Sequence, residues 1–228
     1  MGNNVAVVTF PGSNCDHDTV WALQELGAEV VMVRHDAREL PRCDRVVLPG
    51  GFSYGDYLRA GALAAHAPIM DAVGRAVARD AVSVLGICNG FQILCERGIL
   101  PGTLWSNTSG EFLCRWEWVE VATSPPGWPA FVPGMRFRLP IAHAQGAFRV
   151  HEGGAAQIWA EGGAFLRYVD PVRNAATGYS PNGSVQGIAG ICRGRVIGLM
   201  PHPERAMSPV FGSEDGRRFL HLWLGGPS

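Results

Sequence analysis

Residues 82–91 read Val-Ser-Val-Leu-Gly-Ile-Cys-Asn-Gly-Phe, and this stretch restricts the fold more than any other. An apolar, strand-forming run enters Gly86-x-Cys88-x-Gly90, and residues 91–96 then continue as a helix. A strand that becomes a helix within a few residues belongs in a sheet whose strands alternate with helices. The flanking glycines fit a sharp turn where side chains would collide, the nucleophile-elbow pattern with cysteine in place of serine. Cys88 would then project from the C-terminal edge of the sheet. The helix N-terminus beneath it offers unpaired N–H groups and partial positive charge, both of which favour an anionic sulfur. The backbone N–H of Asn89 would be placed to donate to a developing oxyanion. An inert cysteine on a Gly-rich turn has the same spelling, so the motif needs support from elsewhere in the chain.

Residues 196–205, Val-Ile-Gly-Leu-Met-Pro-His-Pro-Glu-Arg, supply it. A buried strand is predicted to end in His202-x-Glu204, with a proline on each side of the histidine. Proline fixes its own φ and pushes the preceding residue toward extended geometry. Alternate residues of an extended segment share a side, unless a turn at Pro203 alters this. Glu204 could then hold one imidazole nitrogen while the other faces the thiol, the orienting logic of a catalytic triad. A solvated loop with a surface His and Glu is the bland alternative. Cys88 and His202 both follow predicted strand ends, where open α/β sheets place their sites. A third strand, residues 45–48, runs into Pro49-Gly50-Gly51. Such a loop lets a backbone N–H approach a bound carbonyl, so Gly51, or its neighbour Gly50, could complete an oxyanion hole.

The rest of the chain fits this frame. Strands are predicted at residues 5–9, 29–33, 45–48 and 82–86, with helices at 18–26, 60–79 (interrupted near Pro68) and from 91 to 96. This alternation implies a parallel sheet covered on both faces. The pattern then changes: 112–121 and 136–141 look like strands with no crossover helix, separated by a proline-rich loop at 124–133. Ile158 and residues 165–169 suggest further strands, and Asn182-Gly183 reads as a turn between strands. Strands at 187–192 and 195–199, joined at Arg193-Gly194, precede a last helix at 216–224. The expected architecture is α/β: an open, doubly wound, mainly parallel sheet with antiparallel additions, in a single domain over residues 1–228.

Composition narrows the chemistry. The 228 residues are 47% hydrophobic, enough for one large core. Net charge is -1 with no basic stripe, which argues against nucleic acid as a partner. The apolar runs are too short to span a bilayer, and residues 1–10 lack a signal-peptide pattern, so a cytoplasmic protein is expected. None of the six cysteines lies in a C-x-x-C pair or at zinc-finger spacing, so no metal is expected and most should be free thiols. The chain contains no lysine, and its 19 basic residues are all arginine. Lysine Schiff-base chemistry and the phosphate loop G-x-x-x-x-G-K-[ST] are therefore both excluded.

The three motifs, in this order, resemble the class I (triad) glutamine amidotransferases, whose sheet is flavodoxin-like. The flanking runs narrow the resemblance to the PurQ family, the glutaminase subunits of phosphoribosylformylglycinamidine synthases. They are 10–16 (Phe-Pro-Gly-Ser-Asn-Cys-Asp), 50–61 (Gly-Gly-Phe-Ser-Tyr-Gly-Asp-Tyr-Leu-Arg-Ala-Gly), 86–92 and 201–205. Asn182-Gly183-Ser184 and residues 187–190 fit as well, so the likeness covers nearly the whole chain. It implies glutamine as substrate, a Cys88–His202–Glu204 triad, oxyanion donors at Gly51 and Asn89, and no cofactor in this chain. It also implies two partners: a large synthetase subunit, PurL, carrying ATP and Mg, and a small subunit, PurS. Tyr57 and Arg59 become candidates for partner or glutamine contacts. One departure stands out. The family usually has I-A-H-G-E-G where residues 141–146 read Ile-Ala-His-Ala-Gln-Gly, which puts in doubt whatever that loop contacts. Two other readings compete: a cysteine hydrolase or peptidase of the DJ-1-like group, which would lack the late Pro-His-Pro-Glu, and a non-catalytic regulatory subunit.

Overall fold

The computed structural model describes residues 3–170, 172 and 178–226. A nine-stranded sheet forms its centre. In chain order the strands are β1 (Asn4–Thr9), β2 (Glu29–Arg34), β3 (Arg45–Leu48), β4 (Ser83–Ile87), β6 (Leu113–Val121), β7 (Arg136–His143), β9 (Ala164–Val169), β10 (Ile188–Arg193) and β11 (Val196–Leu199). Two short strands, β5 (Thr103–Trp105) and β8 (Ala147–Arg149), pair with each other outside this sheet. The spatial order is β2-β1-β3-β4-β11-β10-β9-β6-β7. From β2 to β11 every pairing is parallel, and from β11 to β7 every pairing is antiparallel.

Burial follows this division. Strands β3, β4 and β11 are buried at every residue, as expected of parallel strands covered on both faces. β7 instead alternates half-buried and buried residues, the signature of an antiparallel strand with one face on the core. The helices are α1 (Asp16–Gln24), α2 (Pro68–Ala78), α3 (Asn89–Glu96), α4 (Gly154–Ala160) and α5 (Asp215–Leu224). Pro68 starts α2 at a position where its missing N–H is no loss. Phe219 of α5 stands among Phe131, Phe137 and Phe165, with ring centroids 5.0, 5.4 and 6.0 Å away. This aromatic cluster fixes α5 against the antiparallel half of the sheet.

Most predicted elements are present within a residue or two. Two expectations are corrected. Ile158 lies in helix α4, not in a strand; its isolated apolar position carried no period to decide between the two. Asn182-Gly183 does lie between the paired strands β9 and β10, but within a long connection and not as a tight hairpin turn: Asn182 is fully buried, and a short 3₁₀ turn, Val185–Gly187, follows it. Its side-chain amide is spent on tertiary hydrogen bonds to Gly146 O and Tyr168 Oη. Strands β5 and β8 were not anticipated, being three residues each.

The elbow glycines have a direct steric cause. A Cβ at Gly90 would stand 1.9 Å from Leu48 O of β3, and one at Gly86 would stand 2.8 Å from Gly90 O. Helix α3 therefore seats directly on the sheet because position 90 has no side chain. Gly90→Ala must push backbone against backbone, and should lower unfolding free energy by about 3 kcal/mol, read from the urea midpoint.

Candidate active site

Strands β4 and β11 are neighbours in parallel register, with Val84 opposite Val196 and Ile87 opposite Leu199. The ladder continues one residue further, since Cys88 N donates to Leu199 O at 2.7 Å. Both strands thus release their chains at the same edge, which puts Cys88 and His202 at one edge of the sheet from segments about half the sequence apart. Cys88 has φ 50° and ψ −103°, a conformation sparsely populated for any residue with a side chain and costing on the order of 1–3 kcal/mol. Its Sγ lies 3.7 Å from Ala142 O on β7.

His202 Nδ1 and Glu204 Oε1 are 2.6 Å apart, and both residues are 2% exposed. The geometry between them is a turn, not an extended strand: Pro203–Arg205 form one turn of 3₁₀ helix. His202 itself keeps non-helical φ −107° and ψ 89°, as a residue before proline should. The segment is anchored to β7 by His202 N donating to Pro140 O at 2.8 Å. Burial disfavours the imidazolium, but Glu204 and then Cys88 outweigh it, and the pKa of His202 is held well above its usual value. With Nδ1 committed to Glu204, Nε2 is the nitrogen left for the thiol. Neither Nε2 nor the second carboxylate oxygen, Oε2, has a hydrogen-bond partner among the described residues.

The oxyanion candidates Asn89 and Gly51 both carry backbone N–H groups outside the regular hydrogen-bond pattern. Asn89 opens α3, where its N–H has no intrahelical acceptor. Gly51 has φ 141° and packs against Ser13 and Asn14. Neither N–H donates to another group among the described residues. At Gly50 a Cβ would come within 2.6 Å of His202 Cε1. The glycine makes room for the imidazole.

Sequence reasoning missed Cys15 as part of this site. Its Sγ lies with a ring nitrogen of His202 and a carboxylate oxygen of Glu204 in a group whose members are all within 4.8 Å. Arg205 Nη2 donates to the same sulfur at 3.1 Å. Three donors at this spacing could ligate a metal, but the guanidinium adds positive charge there and Nδ1 is already bonded. The one signal in the sequence was the position of Cys15 in the 10–16 run. All six cysteines are free, four of them buried.

Beside the nucleophile lies a strained loop. Tyr54, Asp56 and Leu58 have φ of 54°, 53° and 71°, with Gly55 between them at 70°. It is fastened to Asn89, whose Oδ1 accepts from Ser53 N at 3.2 Å and whose Nδ2 faces Asp56 Oδ1 at 3.4 Å. Tyr57 is 74% exposed, and Arg59 is bound to Glu96 at 2.6 Å. The unusual Gln145 also acts here: Oε1 accepts from Ala60 N at 3.1 Å, and its backbone oxygen accepts from Gln92 Nε2 at 2.6 Å. A neutral amide thus ties the loop to α3. Burial raises Asp56 to about 6. A carboxyl raised on folding opposes folding once pH exceeds its folded pKa, and the penalty fades as pH falls from there toward the unfolded value. Asp56→Asn, which also tolerates positive φ better, should stabilise the protein by roughly 1 kcal/mol at pH 8 after allowance for partial exposure, and by much less at pH 4. Thermal melts at the two pH values test this.

Three comparisons bear on this geometry. A family model described as CobB/CobQ-like glutamine amidotransferase domain matches residues 2–218, which sets the class. The chain is 49% identical over 219 residues to phosphoribosylformylglycinamidine synthase subunit PurQ of Thermomicrobium roseum, covering 94% of this chain and 92% of the relative. It is 47% identical to PurQ of Thermus thermophilus, covering 94% and 95%. Among solved structures, PurLQS from Thermotoga maritima superimposes with a TM-score of 0.85 at 40% identity, covering 98% of each chain. A Thermotoga maritima glutamine amidotransferase at 18% identity and a TM-score of 0.59, covering 90% of this chain and 78% of that one, shares the fold alone. The chain belongs to the PurQ family.

Proposed function

We propose that this chain is the glutaminase subunit of phosphoribosylformylglycinamidine synthase. It hydrolyses glutamine and hands the ammonia to a synthetase subunit that converts formylglycinamide ribonucleotide to formylglycinamidine ribonucleotide in purine synthesis. The observation that carries the reading is the buried His202–Glu204 pair, 2.6 Å apart, at the end of the strand that pairs with the Cys88 strand.

In the proposed reaction Cys88 Sγ attacks the carboxamide carbon of glutamine. The carbonyl oxygen takes the negative charge and is held by the N–H groups of Gly51 and Asn89. One such donor is worth about 3 kcal/mol in the transition state. The His202 imidazolium gives its proton to the nitrogen, the C–N bond breaks, and ammonia leaves a glutamyl thioester. Water then attacks the thioester, its proton passing to His202, and glutamate departs with the thiol restored. Glu204 holds the imidazole and, by raising its pKa, keeps a proton available for the leaving nitrogen.

The remaining assignments complete the reading. Residues 1–228 form one glutamine amidotransferase domain. ATP and Mg bind the partner synthetase, PurL, and PurS completes the complex. The lack of a lysine-bearing phosphate loop supports that division of labour. The compartment is the cytoplasm, in keeping with six free cysteines. Free ammonia would protonate in neutral water, so the nitrogen passes between subunits by a shielded route.

In the complex reconstituted with its synthetase, Cys88→Ala should abolish glutamine-dependent synthesis and leave ammonia-dependent synthesis. A mutant that still used glutamine would sink the triad. The electrophile 6-diazo-5-oxonorleucine should label Cys88 and spare Cys15 on peptide mapping. Glu204→Gln should reduce kcat for glutamine by on the order of 10²- to 10⁴-fold. Without the carboxylate the imidazolium is lost at lower pH, so the alkaline limb of the kcat profile should move down in pH.

A further inference from the structure

Two motifs that the triad does not use, residues 141–146 and Asn182-Gly183-Ser184, fold together beside Cys88. Their meeting point is His143, 3% exposed at the end of β7. Its Nδ1 lies 3.0 Å from Asn107 Oδ1. The orientation of the Asn107 amide is set by its other bonds: Nδ2 donates to Glu111 O and His143 O, while Oδ1 accepts from Gly146 N. Oδ1 is therefore the acceptor, and Nδ1 of His143 carries the hydrogen. Burial lowers the His143 pKa to about 4, with the charge of His202 adding to the effect. At neutral pH the ring is uncharged, and Nε2 presents a lone pair. That nitrogen is inaccessible to solvent and has no partner among the described residues. A buried acceptor left unpaired costs about 1–3 kcal/mol, which is reason to look for the donor it meets in use.

The residues around His143 reach the chemistry. The residue before it, Ala142, turns its carbonyl oxygen to Cys88 Sγ at 3.7 Å. Gly146 lies flat on the imidazole, where a Cβ would come within 2.6 Å of three ring atoms. Asn182 Nδ2 donates to Gly146 O at 2.8 Å and reaches the Tyr168 hydroxyl at 3.3 Å. Tyr168 feels the charge of Cys88, and His143 feels that of His202. Asn107 bonds the imidazole, Asn182 and Ser184 bond Gly146 O beside it, and Nε2 is left without a partner among the described residues.

We propose that His143 Nε2 accepts a hydrogen bond from the nitrogen that leaves glutamine, first as the carboxamide NH2 and then as ammonia. The proposal rests on the glutaminase reading above. An acceptor of this kind holds ammonia without protonating it, so the nitrogen stays nucleophilic for the next subunit. Ala142 O is the second acceptor available to the same NH2 group.

The test uses the complex reconstituted with its synthetase and two variants: His143→Leu, which keeps bulk and removes the acceptor, and His143→Gln, which restores one. Glutamine KM, kcat and the ratio of glutamate to amidine product are measured, normalised to the ammonia-dependent rate of the same preparation. For His143→Leu we expect either a glutamine KM raised about tenfold, reporting the carboxamide contact, or a glutamate-to-product ratio raised severalfold, reporting escape of ammonia. His143→Gln should recover part of either change. A wild-type KM and ratio in the leucine variant would overturn the proposal. So would losses that follow the melting temperature and are not recovered by glutamine. If Cys88→Ala still consumes glutamine, the triad reading fails first, and the two failures are separable.

Discussion

The parallel pairing of β4 with β11 is the contact on which the site depends. Neither strand carries chemistry, and both are fully buried. Their register, extended by the bond from Cys88 N to Leu199 O, sets where each chain leaves the sheet. A slip of one residue would rotate the side chains of β11 to the other face and carry His202 away from the thiol. Helix α3 supports the register from one side, because Gly90 lets it touch the backbone of β3.

Around that pairing the molecule accumulates features that cost stability. Cys88 sits at positive φ, as do Tyr54, Asp56 and Leu58 in the neighbouring loop. His202 and Glu204 are buried, each with one polar atom that has no hydrogen-bond partner among the described residues. Asp56 is pushed toward its neutral form. Such features concentrate where a reaction needs preset geometry, and the surrounding packing must hold them. Here that packing is the fully buried central strands β3, β4 and β11, and the aromatic cluster around Phe219 that fixes α5.

The antiparallel half of the sheet contributes more than support. Edge strand β7 gives Pro140 O to the backbone of His202 and Ala142 O to the neighbourhood of Cys88, and ends in His143. Carbonyls two residues apart, which point the same way along a strand, thus address the base segment and the nucleophile, and the strand's last side chain meets the polar shell. Gln145, where the sequence departs from the expected motif, offers a neutral oxygen acceptor that ties this segment to Ala60.

Much of this was legible in the chain itself, because short-range physics governs it. Buried β-branched runs, the Gly-x-Cys-x-Gly turn and the proline-bracketed histidine depend on neighbours in sequence, and they located β3, β4, β11, Cys88, His202 and Glu204. Ile158 was misread because an isolated apolar residue has no period, and Asn182-Gly183, though between paired strands, makes no tight turn because its side-chain amide is claimed by distant partners. Cys15, Gly50 as the seat of the imidazole, and the His143 shell were decided only by the tertiary structure. Each acts through a contact between segments far apart in the chain, and no local pattern encodes which strands will end side by side.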